Sequence, residues 1–128
     1  MAFDDDGFLD DYEIKELIDR FESQLENDRL SFFDADELNI IIDYYIQHDD
    51  FNKINVIADM AERYHSESPL YNAIMAKKYL SVQDAVAAMK YLKSDDNNFE
   101  DPDYYVNLGY AHSLLLEHEE SIEAYKKA

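Results

Sequence analysis

Apolar residues recur at helical spacing from residue 11 onward. Ile14, Leu17, Ile18, Phe21 and Leu25 share one face of the segment 11–27, and the opposite face is charged, which predicts an amphipathic helix. The same kind of pattern, broken near 48–50 and 116–118, predicts six more helices over 35–48, 51–65, 69–80, 82–94, 102–116 and 118–128. Start signals accompany several of them. Asp34 opens D-A-D-E, where an aspartate before a helix and a glutamate three residues on form a capping box. Ser81 in S-V-Q-D is expected to cap the fifth helix in the same way. Ser68-Pro69 and Asp101-Pro102 each set a capping side chain before a proline at the first helical position, where a missing N–H costs nothing.

The helices recur as pairs. Offsets of 33 and 34 residues align Leu38, Tyr71 and Tyr105; Ile41, Ile74 and Leu108; and Tyr45, Lys78 and His112 in the first helix of each pair. In the second helices they align Ile54, Ala87 and Ser121; Ala58, Tyr91 and Tyr125; and Ala61, Ser94 and Ala128. Small residues at fixed places let neighbouring helices approach closely, as stacked helix pairs require.

The third unit, Tyr105-x2-Leu108-Gly109-x2-His112 followed by Ser121-x3-Tyr125 and Ala128, resembles a tetratricopeptide repeat. The second keeps Tyr71, Ile74, Ala87 and Tyr91 with Met75 at the glycine place, and the first is degenerate. The resemblance implies an all-α, right-handed superhelix of antiparallel helix pairs. Its expected divisions are an acidic lead-in over 1–10, a capping helix and loop over 11–33, and three pairs over about 35–67, 68–101 and 102–128. Because a solenoid needs a polar-faced end and the sequence stops after Tyr125 and Ala128, a longer array is expected, stabilised by its further helices.

Composition narrows the function classes. Two glycines and two prolines in 128 residues leave no phosphate-cradling loop or dinucleotide fingerprint, and the absence of cysteine removes disulfides, thiolate metal sites and a cysteine nucleophile. The N-terminus carries no basic flank or apolar stretch of the secretory kind, and the apolar patch around 38–46 is too short and polar to span a bilayer. A cytoplasmic protein is expected. Net charge is −19, with 19 acids against 5 bases in 1–66 and 11 against 6 in 67–128. Such a field disfavours nucleic acid and anionic membranes and favours basic or neutral protein partners.

Reactive constellations are absent from the sequence. His48, His65, His112 and His118 show no three- or four-residue spacing that would set two imidazoles on one helical face, and no nucleophile elbow occurs. Neither an enzyme nor a bound cofactor is expected. Asp4, Asp6, Gly7, Leu9 and Glu13 match offsets of a calcium loop, but Ala2 stands where the first carboxylate belongs. A calcium-responsive acidic protein is therefore the alternative reading.

The family resemblance directs one stripe of each first helix towards a concave, peptide-binding surface. These stripes are Asp36-Asn39-Asp43-Gln47, Pro69-Asn72-Ala76-Tyr79 and Asp103-Val106-Tyr110-Ser113. Tetratricopeptide domains that hold acidic C-termini do so with lysine, arginine and asparagine. The corresponding places here are Asn39, Asp43, Ala73, Asp103 and Asn107, of which Asn107 alone matches. With no lysine or arginine on those stripes, the groove is expected to reject carboxylates and to bind through Asp43, Tyr79 and Tyr110.

Overall fold

A computed structural model describes residues 9–27, 33–94 and 101–128, and within them the chain is all-helical. Seven helices follow one another among the described residues: α1 (Asp11–Glu26), α2 (Ala35–Gln47), α3 (Phe51–Tyr64), α4 (Tyr71–Ser81), α5 (Ala85–Lys93), α6 (Pro102–Leu114) and α7 (His118–Lys127). Helices α2 and α3, α4 and α5, and α6 and α7 pack as consecutive pairs, and α4 also touches α2, α3 and α6.

Two helices start by the same device. Asp10 and Asp34 are N-caps whose carboxylates accept from the backbone N–H of Glu13 and Glu37, while those glutamates accept from the cap N–H. The residue before each cap, Leu9 or Phe33, is buried in the same core cluster as Ile14 or Leu38, one turn inside the helix. Box and hydrophobic staple together fix the chain's entry angle. Asp101 caps α6 with Pro102 in its first turn, as the sequence predicts. Two expected starts move. Ser81 Oγ donates to the Lys78 carbonyl at 2.6 Å, and Asp84 caps α5 instead. Ser68 Oγ accepts from Leu70 N–H, which keeps Pro69 in a turn and delays α4 to Tyr71.

The turns within the pairs repeat closely. Residues 48–50, 82–84 and 115–117 each close a helix with a left-handed residue, Asp49 (φ 53°), Gln83 (φ 61°) and Leu116 (φ 62°). In each, that residue's N–H bonds back three residues and the next N–H bonds back five: Asp50 to Tyr45, Asp84 to Tyr79, Glu117 to His112. This is the Schellman closure, which usually employs glycine because other residues are strained at positive φ.

These turns correct the alignment of the middle unit. They recur at offsets of 34 and then 33 residues, whereas the sequence reading used 33 and then 34. Ala88, fully buried, thus takes the place given to Ala87, between buried Ile54 and Ser121. Leu92 replaces Tyr91 opposite Ala58 and Tyr125, and Ala76 replaces Met75 opposite Gly109. The shift arises because no glycine marks the 82–84 turn, so the sequence supplies no anchor for register there.

The core lies in two clusters. One joins α1, α2 and α3 through Phe21, Phe33, Ile41, Tyr45 and Ile57; the other joins α4, α5 and α6 through Ala76, Leu80, Ala88, Leu92 and Ala111. At the last pair, Ser121 Oγ donates to the Gly109 carbonyl at 2.9 Å, and a Cβ added to Gly109 would lie 2.7 Å from Tyr125 Cε1. Gly109→Ala should therefore lose about 1 kcal/mol, since overpacking of ~1–3 kcal/mol outweighs the ~1 kcal/mol helix-propensity gain. In a Tyr125→Ala background the same change should become stabilising. Urea denaturation of the four variants reads this directly, and a stabilised Gly109→Ala single variant would mean that α6 and α7 sit further apart.

Candidate functional site

Helices α2, α4 and α6, the first of each pair, lie side by side with α4 in the middle. The corrected register sets Asp43, Lys77 and Tyr110 in one row across them. All three line an open cleft of about 370 Å³, together with Asn107, Leu80 and Gln83.

Lys77 dominates the row. Its side chain is only 8% exposed, and Nζ donates to Asn39 Oδ1 at 2.8 Å and stands 2.9 Å from Asp43 Oδ1. Its methylene stem follows from its place: one residue after fully buried Ala76, it leaves the core and reaches back to α2. The Asp43 carboxylate remains half exposed. Burial raises its pKa above the ordinary 3.8; the charge and hydrogen bond of Lys77 oppose this, and the nearby Asp103 carboxylate adds to the rise. Asn107 Nδ2, across the cleft on α6, is buried and has no hydrogen-bond partner among the described residues. A buried amide donor left unpaired costs about 1–3 kcal/mol, so an acceptor arriving there is favoured.

The stripes expected from sequence fare unevenly. Asn39 and Asp43 reach the cleft through Lys77, and Tyr110 and Val106 are exposed on α6. Asp36 is exposed in the first turn of α2, and Ser113 is half-buried. The middle stripe was read one residue early. Ala76 is fully buried in the core, and Tyr79 stacks on Tyr91 with centroids 5.8 Å apart and rings 12° from parallel. Asn72, one turn before Ala76, is half-buried. The 34-residue offset from Asn39 and Asp43 leads instead to Ala73 and Lys77. The cleft thus contains a lysine that the stripe assignment missed, and its excess of acid is smaller than the stripes imply.

Three of the histidines have structural partners. His48 stacks on Tyr44 at 4.2 Å, His65 Nε2 lies 2.7 Å from the Phe33 carbonyl, and His112 Nδ1 lies 2.9 Å from Glu117 Oε1. Of the calcium-loop residues, Asp4, Asp6 and Gly7 lie outside the described residues, while Leu9 is in the core and Glu13 serves the α1 capping box. No group of three or more metal-binding side chains converges among the described residues. Among them, too, no helix is long and apolar enough to cross a membrane. Compared with known proteins, the chain matches no family model, no curated sequence and no solved structure.

Proposed function

We propose that this chain is a right-handed superhelix of three tetratricopeptide-like helix pairs that binds a partner protein through the concave face of α2, α4 and α6. The observation that carries the reading is the cleft itself. It draws polar side chains from each of three successive first helices, and it holds an unpartnered amide donor at Asn107. A peptide lying across the row can accept from Asn107 with a backbone carbonyl and lay apolar area on Tyr110, which offers contact surface and a hydroxyl together. The partner segment is basic or neutral. Lys77 cancels Asp43 locally, so the preference for cations comes from Asp49 on the cleft wall, from Asp103 nearby and from the field of a chain with net charge −19. Shape, hydrogen bonds and steering perform this function without catalysis or a cofactor.

The test is a panel of basic, neutral and acidic peptides titrated against the chain at low and high salt. Basic and neutral peptides should bind, with only the basic ones weakening as salt rises. Tyr110→Ala, at an exposed position, should reduce their affinity about tenfold without lowering the melting temperature. Preferential binding of acidic peptides, or indifference to Tyr110→Ala, would place the partner surface elsewhere.

A further inference from the structure

On the α1 side of α2, adjoining the cleft at Asp43, α1 and α2 form a groove of about 720 Å³. Its floor is apolar: Ile14 and Ile18 come from α1, and Ile40 and Tyr44 from α2. Each pair is spaced by one helical turn, so the floor consists of two short ladders facing one another. The α1 rim is acidic, with Asp11, Asp19 and Glu22, the last 3.8 Å from Lys53 Nζ; on the α2 side Asp43 is held by Lys77 at 2.9 Å. Lys15 is the one lysine or arginine among the lining residues, and Asp19 holds it at 3.1 Å. Asp11 and Glu22 lie about 17 Å apart along the helix axis at ~1.5 Å per residue, which matches roughly three turns of a guest helix. The groove shares only Asp43 with the cleft across α2, α4 and α6.

We propose that this groove docks a basic amphipathic helix of a partner protein, a surface additional to the peptide cleft. An amphipathic helix laid along it sets apolar residues at i, i+3, i+4 and i+7 onto the two ladders, the arrangement by which helices fill hydrophobic grooves. Lysines or arginines on the α1 side of that apolar stripe then meet Asp11, Asp19 and Glu22. The charge decides among occupants of similar shape. An acidic helix or nucleic acid meets like charge along the α1 rim, and a small apolar ligand leaves those carboxylates unmatched.

The probe is a fluorescent leucine–lysine peptide with leucines at helical spacing, compared with its leucine–glutamate counterpart. Anisotropy titration of the full chain should show binding of the lysine peptide that weakens with salt, and none of the glutamate peptide. The reversal Asp11→Lys/Asp19→Lys, at two exposed positions, should weaken binding by at least about tenfold. Lys15→Ala should strengthen it, because Asp19 is released to the guest. Tyr110→Ala should leave this helical probe's binding unchanged, because a helix engages its carbonyls internally and offers none to Asn107 in the cleft, unlike the extended peptides that the cleft takes; thermal melts of the variants establish that each is folded. Equal binding of the reversal variant or of the glutamate peptide would overturn the proposal. So would loss of binding on Tyr110→Ala, which would seat the probe in the cleft. A self-associated chain that the reversal dissociates would assign the groove to a second copy and overturn it equally.

Discussion

Replacing Phe21 by alanine is expected to cost about 3–5 kcal/mol, the range for deleting a fully buried aromatic side chain. Phe21 is 0% exposed and lies 5.6 Å from the Phe33 ring and 5.8 Å from the Tyr45 ring, so its removal opens the joint between α1 and the first helix pair. The neighbouring polar contacts would lose their support. Arg20 lies 4.7 Å from the Phe33 ring centroid and donates to Glu37, whose other oxygen completes the α2 capping box. Tyr45 hydroxyl donates to Glu22 at 2.8 Å, and burial with this bond pushes the phenol pKa upward. Set against a total stability of roughly 5–15 kcal/mol, the loss is enough to leave a substantial unfolded population. Denaturant titration should show it, together with a fall of more than about 10 °C in melting temperature. A loss below about 1 kcal/mol would mean that α1 is appended to the fold and contributes little to its core.

Much of this joint is legible in the sequence. The α1 stripe and the D-A-D-E box both stand in the structure, because local signals of this kind depend on residues three or four apart. Leu9 and Phe33 were legible in principle as apolar residues immediately before the caps Asp10 and Asp34. Its offset also fits Leu9 to a calcium loop, but its place just before a capping aspartate gives it a packing role.

The middle unit was harder to read for a physical reason. Helix closure at Asp49, Gln83 and Leu116 uses the left-handed conformation without glycine. Only Asp49 belongs to a residue type that leans towards positive φ, and Gln83 and Leu116 do not, so register rests on apolar matches. At Ile74–Met75–Ala76 and Ala87–Ala88 those matches are nearly as good one residue either way. A single step of register rotates a helical position by about 100°, enough to move Ala76 from the cleft to the core and Lys77 from a side wall to its centre. The aspartate that follows the first two turns, Asp50 and Asp84 at an offset of 34, is the available clue; both caps accept from the N–H three residues on.

The Lys77–Asp43 pair is expected to respond asymmetrically to removal of either partner. Asp43→Ala strands an ammonium that is 8% exposed, with Asn39 as its remaining acceptor in this cluster. Its cost should be about 2 kcal/mol, below the ~3–5 kcal/mol of a fully buried pair because Asp43 is itself half exposed. Lys77→Met removes the buried charge, keeps much of the stem volume and leaves Asp43 within reach of water, so its cost should stay under about 1 kcal/mol. Peptide binding should move the opposite way in the two variants. Asp43→Ala shifts the cleft one charge towards anions, weakening basic peptides and strengthening acidic ones by roughly fivefold each, or ~1 kcal/mol. Lys77→Met should favour basic peptides by a similar factor. The pH dependence decides whether burial or Lys77 governs the carboxylate. With burial dominant, the folded-state pKa of Asp43 lies above the unfolded value of 3.8, and the native state holds that proton more tightly than the unfolded chain. The resulting stability is complete below the unfolded value and is lost as pH rises through the folded one. Lowering the pH from neutral towards 4 should therefore widen the stability gap between the wild type and Asp43→Ala, measured by denaturant titration at each pH. A gap that narrows on acidification would mean that attraction to Lys77 outweighs desolvation, and that the pair stabilises the cleft as an ion pair.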